Sequence, residues 1–154
     1  MKRLVDCIYM TKRTIKKYEI DNPNELVSIA DASKGIITKN NQDIQNGANW
    51  VTSQRAVILL TDRNIICGKW KISLETISTA KLYRYGSGQV LKIQTSDGTN
   101  YQFGMQINPE WTNQEILPLT LENVKVKYSL FSIIVRLMAI GGLVFWLYKR
   151  FIAS

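Results

Sequence analysis

The feature that most constrains this chain is an apolar run near its C-terminal end, from Ser129 to Tyr148. A helix that crosses about 30 Å of hydrocarbon needs about 20 consecutive apolar residues, which is the length of this run. Aromatic residues at its ends, Tyr128, Trp146 and Tyr148, are typical of the interface between lipid and water. The run also lacks a polar side that a core helix could turn to water. We therefore predict a transmembrane helix at 129–148 and a short tail at 149–154.

One charged residue, Arg136, interrupts the apolar run. Its side chain can extend toward the nearer headgroups, or it can pair with a polar group of a partner membrane protein, and the sequence leaves both readings open. Small residues such as Ala139 and Gly142 allow a second helix to approach closely. We therefore treat Arg136, Ala139 and Gly142 as a candidate intramembrane contact.

The N-terminus does not resemble a secretory signal, because the apolar stretch 4–10 is short and is interrupted by Asp6. Export of a domain that precedes its own membrane helix is therefore not expected. The prediction is a single-pass membrane protein whose N-terminal domain is cytoplasmic. A helix lying within one leaflet is the alternative that the sequence leaves open.

Charge and residue content restrict the function. The chain has 20 Lys and Arg against 12 Asp and Glu, a formal net charge of +8, which favours anionic partners such as lipid headgroups. Histidine is absent, which removes imidazole acid–base chemistry and histidine metal sites. The sequence contains no glycine-rich phosphate-binding motif and no nucleic-acid recognition motif. We predict no enzyme activity, no cofactor, no metal and no nucleic-acid partner.

Residues 1–24 form a basic N-terminal segment. Leu4, Ile8, Thr11, Ile15 and Tyr18 recur at helical spacing, with Lys12, Arg13, Lys16 and Lys17 beside them. Such a helix can rest on an anionic membrane surface, or it can pack on the domain with a solvated charged face. The four basic residues are candidate contacts to anionic lipid or to a partner.

From residue 25 to residue 105 the pattern is that of short strands separated by turns. An apolar strand at 56–61 is followed by the turn Asp62-Arg-Asn and by a returning strand at 65–70. The Ser96-Asp-Gly98 turn joins two alternating strands and is the strongest hairpin signal in the chain. After Asn108-Pro109, residues 110–117 are predicted to form a helix that docks through Trp111. We predict a mainly β fold, a small antiparallel barrel or sandwich closed by one short helix.

These patterns resemble the bacterial PH-like and GRAM-like domains. In those families an apolar strand runs into a Leu-Thr-Asp turn and returns as a second strand, as in Val57–Ile66 here. A following Ile-x-Leu-x-x-Ile segment corresponds to Ile72, Leu74 and Ile77, and the Asp97-Gly98 hairpin leads into an aromatic strand with Tyr101 and Phe103. The resemblance covers about 26–117. It implies a fold and, loosely, binding of lipids or proteins at a membrane.

Lys81 and Arg84 lie beside the glycines of the loop at 86–88. Together they could contact a phosphate, because glycine allows close backbone approach, or they could form an ordinary solvated hairpin tip. We therefore include Lys81 and Arg84 among the candidate contacts to anionic lipid or to a partner.

The predicted organisation is a basic segment at 1–24, a PH-like domain at 25–118, a linker at 119–128, the membrane helix and the tail. The predicted function is a membrane-anchored, non-catalytic binding module, acting as a scaffold or accessory subunit of a membrane protein complex. The alternative is a sensor of anionic lipid at the cytoplasmic leaflet. The partners expected are membrane lipids and a membrane protein.

Overall fold

The computed structural model describes residues 2–38, 45–46, 53–85, 88–123, 127–128 and 130–151. Within these ranges the protein is mainly β. Eight strands form one sheet, in the order β5-β4-β3-β1-β8-β7-β6-β9, and β2 pairs separately with β10. The strands are β1 Val27–Thr38, β2 Gln45–Asn46, β3 Gln54–Thr61, β4 Asn64–Cys67, β5 Trp70–Ser73, β6 Ile77–Tyr85, β7 Gly88–Thr95, β8 Asn100–Gln106, β9 Thr120–Asn123 and β10 Lys127–Tyr128. The helices are α1 Lys2–Ile8, α2 Thr11–Asp21, α3 Glu110–Asn113 and α4 Leu130–Phe151.

The predicted antiparallel barrel or sandwich is wrong, although the mainly β character is right. Among the described residues the sheet is open, with β5 and β9 at its two edges. It is also mixed, because β9 runs parallel to β6, with Leu82 opposite Leu121. Residues 120–123, which the sequence placed in a linker, therefore extend the sheet. A parallel partner so far along the chain leaves no hairpin signal that the sequence could show.

The two hairpins that the sequence predicted most strongly are present. β3 and β4 pair with Leu60 opposite Ile65, and β7 and β8 pair with Leu91 opposite Phe103. Gly98 has φ +84°, the left-handed backbone that glycine adopts without strain. The predicted strand at 65–70 is divided by a turn at Gly68, which has φ +58°.

One face of the sheet carries the hydrophobic core, and the sheet curls around it. Trp70 on the edge strand β5 contacts Tyr101 and Phe103 of β8 edge-on, with ring centroids 6.0 Å apart in both pairs. β5 and β8 are separated by three strands in the sheet order, so only strong curvature brings these rings together. Gly35 of β1 provides the space in which they meet, since a Cβ atom there would lie against Trp70 and 3.1 Å from Phe103.

Replacing Gly35 by alanine is expected to lower the free energy of unfolding by about 1–3 kcal/mol, because the added methyl group overpacks the ring cluster. Urea denaturation measures the change. The matched control is the double variant Gly35→Ala with Trp70→Val, in which the smaller side chain restores the space. A double variant whose loss equals the sum of the two single losses would contradict this explanation.

Helix α3 covers one end of the core. Trp111 is fully buried, and its Nε1 donates to Asp31 Oδ2 at 2.8 Å. Asn108 Nδ2 donates to the same oxygen at 2.7 Å, and Asn108 Oδ1 accepts from the backbone N–H of Glu110 at 3.1 Å, as the predicted cap requires. The helix is shorter than the predicted 110–117. It ends at Asn113 because the Gln114 amide exchanges two 2.7 Å hydrogen bonds with the backbone of Leu117.

The N-terminal segment forms two helices rather than one. The chain turns at Met10, whose φ of 52° is left-handed, and its carbonyl accepts from both the backbone and the hydroxyl of Thr14. The predicted apolar face holds in α2, where Thr11 is buried and Ile15 and Tyr18 are partly buried. It fails in α1, because Leu4 and Ile8 remain 66% and 68% exposed.

The predicted membrane helix corresponds to α4. A crossing needs about 20 consecutive, mostly apolar residues. Helix α4 contains the charged residue Arg136, and Lys149 and Arg150 lie in its last turn. Among the residues that the structure describes, no helix combines the length and the hydropathy that a crossing requires. This finding contradicts the transmembrane helix at 129–148, the single-pass localisation and the cytoplasmic orientation derived from it, and all three are withdrawn.

Candidate binding surface

Helix α2 is fastened to the sheet at its C-terminal end by a carboxylate. Glu25 Oε2 accepts from the Tyr18 hydroxyl at 2.6 Å and from Asn64 Nδ2 at 2.9 Å, and Glu25 Oε1 accepts from Lys71 Nζ at 2.9 Å. The hydrogen bond from Tyr18, supported by those from Asn64 and Lys71, lowers the pKa of Glu25 to about 2, although burial opposes this. Burial, with the hydrogen bond to Glu25, raises the pKa of Tyr18 well above its ordinary value. The orientation of α2 is therefore set by one buried cluster.

The same cluster holds the Leu-Thr-Asp turn. Thr61 is fully buried, and its hydroxyl oxygen accepts from the backbone N–H groups of Asn64 at 2.8 Å and Arg63 at 3.2 Å. The Thr61 hydroxyl lies 3.2 Å from Glu25 Oε2 and donates to it. Asp62 Oδ1 accepts from the backbone N–H of Leu26 at 3.1 Å. The turn that carried the family resemblance thus serves here to join β3 and β4 to the segment that follows α2.

With α2 held this way, its basic residues divide between two sides of the helix. Thr14, Lys17, Tyr18 and Asp21, at spacings of three and four, face the sheet side and line a groove. Lys12, Arg13 and Lys16 are exposed and do not line that groove. None of these three makes an ion pair with another residue that the structure describes.

The groove lies between α2 and the outer face of the sheet and has a volume of about 620 Å³. We call it the α2 groove. Its floor is apolar and is formed by Val57 and Leu59 of β3 and Ile66 of β4. Ile8 of α1 also lines the groove and is 68% exposed. Arg55 of β3 adds a second cation to the lining, in addition to Lys17 of α2.

A second hollow lies at the α1–α2 turn, with a volume of about 690 Å³. Lys12 and Arg13 line it together with Asp6, Cys7, Met10 and Thr11. Met10 is 58% exposed, so this side of the two helices presents cations and an apolar side chain together. The α1–α2 surface, defined by Leu4, Ile8, Met10, Lys12, Arg13 and Lys16, therefore combines exposed apolar side chains with an excess of positive charge, three cations beside the single carboxylate of Asp6.

The structure separates the other two predicted basic contacts from this surface and from each other. Lys81 Nζ pairs with Glu122 Oε1 at 2.7 Å, so β9 neutralises that charge. The ion pair with Glu122 raises the pKa of Lys81. Arg84 lies on the opposite face of β6, beside the core, where its Nη2 donates to Thr112 Oγ1 at 2.5 Å. Alternation along β6 explains the separation, because residues three apart in a strand point to opposite faces. The loop residues Gly86 and Ser87 lie outside the described residues.

Arg136, Ala139 and Gly142 all lie on α4 and are exposed. A Cβ atom added at Gly142 would have no neighbour within 4 Å. The intramembrane contact proposed for these residues presupposed the membrane span, so it is not carried forward. The large apolar side chains of α4 are also exposed, for example Leu137 at 63% and Phe145 at 61%.

Sequence reasoning missed two contributors to the binding surface. Arg55 precedes the apolar run at 56–61 and so was not considered, although alternation along the strand places it on the same face as Val57 and Leu59. Glu25 was taken only as the start of a strand. Its four partners come from α2, β3, β4 and β5, and no local pattern reports contacts of that kind.

Among the described residues, no group of three or more histidine, cysteine or acidic side chains could hold a metal ion. No protein-family model matches the sequence, and no curated protein shows significant similarity to it. The resemblance to PH-like and GRAM-like domains therefore stays a prediction.

Proposed function

We propose that this protein is a non-catalytic binding module that recognises anionic lipid through the α1–α2 surface. The observation that supports the proposal best is the combination, on two adjacent short helices, of exposed apolar side chains and cations that make no ion pair with any described residue. Leu4 and Ile8 of α1 are each more than half exposed, and so is Met10 in the turn between the helices. Lys12, Arg13 and Lys16 lie on α2 and are also exposed. A lipid interface satisfies both requirements, because headgroups attract the cations and the region beneath them accepts the apolar side chains.

The structure favours α2 over the loop at 86–88 as the basic surface. Lys81 is paired with Glu122, and Arg84 is half-buried beside the core. In contrast, the exposed cations of α2 make no ion pair among the described residues. A cation near an anionic lipid surface contributes about 1 kcal/mol to binding, so two or three of them produce measurable attraction.

The first test compares binding of the whole chain to vesicles of phosphatidylcholine with and without phosphatidylserine. We expect Arg13→Glu combined with Lys16→Glu to weaken binding to the anionic vesicles by about 30-fold or more, since about 1 kcal/mol is lost for each cation. The matched control is Lys34→Glu combined with Lys69→Glu, which changes net charge equally at exposed positions elsewhere. Co-sedimentation at two salt concentrations measures both.

Helix α4 also carries exposed cations, Arg136, Lys149 and Arg150, so the α1–α2 contribution is measured by the loss in the Arg13 and Lys16 double variant relative to its control, since α4 is unchanged in both. Equal loss in the two double variants would show that only net charge matters and would overturn the proposal. Absence of any preference for anionic vesicles would overturn it too. If the native chain shows no preference for anionic vesicles and a protein partner copurifies with it at a fixed stoichiometry, the result would favour the accessory-subunit function.

A further inference from the structure

The α2 groove differs from the α1–α2 surface in shape and in lining. Its floor is apolar, with Val57 and Leu59 buried and Ile66 partly exposed, and the exposed Ile8 side chain also lines it. Its volume of about 620 Å³ lies within the range of about 300–1,000 Å³ that is usual for small-ligand sites. The groove is therefore large enough to hold a single small molecule.

The charged residues of the lining indicate the chemistry of one end of the bound molecule. Lys17 approaches the groove from α2 and Arg55 from β3, and neither makes an ion pair with another described residue. Asp21 is the one acidic residue among the described residues of the lining, so these residues carry a net positive charge. Two cations beside an apolar floor complement a ligand with an anionic head and a hydrocarbon tail.

The backbone beneath the groove argues against a peptide as the occupant. At Leu59, β3 is paired on both sides, with Ala30 of β1 opposite it on one side and Ile66 of β4 on the other. A peptide lying there would find no open strand edge, and its polar backbone would face Val57 and Leu59 without hydrogen-bond partners. A hydrocarbon chain has no such groups to satisfy.

We propose that the α2 groove binds one single-chain anionic amphiphile, with its head between Lys17 and Arg55 and its tail along Val57, Leu59 and Ile66. This inference rests on the proposed function and specifies it further, from a lipid surface to an individual lipid molecule. It assigns the two cationic sides of α2 to separate tasks. Lys17 holds the bound head, whereas Lys12, Arg13 and Lys16 face the lipid surface.

The test uses the whole chain and the fluorescent probe dansyl-undecanoate, with its uncharged methyl ester as the matched ligand. We expect Arg55→Glu to weaken binding of the acid by about tenfold or more, because it replaces a cation at the anionic head by a negative charge. Arg55 is exposed, so the substitution does not disturb the core. Lys16→Glu, on the other side of α2, is the matched control and should leave probe binding within about twofold.

Binding of the acid by Arg55→Glu as tight as by the native chain would overturn the inference, and so would equal affinity for the acid and its ester. The two proposals fail separately. The double variant Arg13→Glu with Lys16→Glu should lose anionic vesicles but keep the probe, whereas Arg55→Glu should lose the probe but keep anionic vesicles. If the native chain binds anionic vesicles but not the probe, the groove proposal alone is wrong.

Discussion

Replacing Trp111 by alanine is expected to lower the free energy of unfolding by about 3–5 kcal/mol, the usual cost of truncating a buried aromatic residue. Trp111 is the largest of the fully buried side chains that the structure describes. Its loss leaves a cavity between α3 and the core. It also removes the 2.8 Å hydrogen bond from Trp111 to Asp31 Oδ2, an oxygen to which Asn108 also donates at 2.7 Å. Urea denaturation followed by circular dichroism measures the change.

The control separates packing from hydrogen bonding. Trp111→Phe keeps most of the ring but removes the N–H donor to Asp31, and we expect a loss of about 1–3 kcal/mol. If Trp111→Ala costs no more than Trp111→Phe, the cavity contributes little and α3 is not a structural cover for the core. Asp31 lies 80 residues from Trp111 in the sequence, so this contact ties the first strand to the segment after the last antiparallel strand.

The second large effect is an acid-dependent loss of stability centred on Glu25. Its pKa is lowered to about 2 in the folded protein from an ordinary 4.5. A carboxylate with a depressed pKa stabilises the folded state above its unfolded pKa and loses that contribution as pH falls through the folded value. We therefore expect stability to decline between about pH 5 and pH 2, by up to about 3 kcal/mol from this group and less where solvent screens it.

The measurement is the difference in unfolding free energy between the native chain and Glu25→Gln across that range of pH. Asp97 and Glu122 also have lowered pKa values, Asp97 through its hydrogen bond from Thr95 and Glu122 through its hydrogen bond from Lys81. They add a decline common to both proteins, which the difference cancels. We expect Glu25→Gln to cost about 2 kcal/mol at neutral pH, because charged hydrogen bonds are lost, and to show a shallower acid decline. Parallel curves for the two proteins would show that Glu25 does not act as described.

The binding surface depends on the same carboxylate. Tyr18 reaches Glu25 from α2, so releasing that hydrogen bond frees the C-terminal end of the helix that carries Lys17. A Tyr18→Phe chain, which lacks the hydroxyl that donates to Glu25, should therefore bind the probe in the α2 groove more weakly. Vesicle binding through Arg13 and Lys16 depends less on how α2 is seated. This difference links the structural cluster to the proposed ligand site.

The local features of this protein could be predicted from its sequence. Turn residues placed both major hairpins, because Asp-Arg-Asn at 62–64 and Ser-Asp-Gly at 96–98 favour a reversal wherever they occur. Alternation of apolar residues predicted mainly β structure. Asn108 and Pro109 predicted the start of α3, and Asn108 Oδ1 accepts from the backbone N–H of Glu110 at 3.1 Å. Each of these depends on residues within a few positions of one another.

Tertiary structure alone decided what those elements build. The parallel pairing of β9 with β6, the open sheet that this pairing extends, and the curvature that brings Trp70 to Phe103 all join residues far apart in the chain. The same holds for the Glu25 cluster and for the pairing of Lys81 with Glu122, which removed one predicted contact from the basic surface. The sequence pattern shows which side of a helix or strand is apolar. It does not show which distant residues will pair, because that depends on the free energy of the whole packed sheet. The positions of Lys17 and Lys16 differ for the same reason, because docking of α2 on the sheet places Lys17 in the lining of the groove and leaves Lys16 outside it.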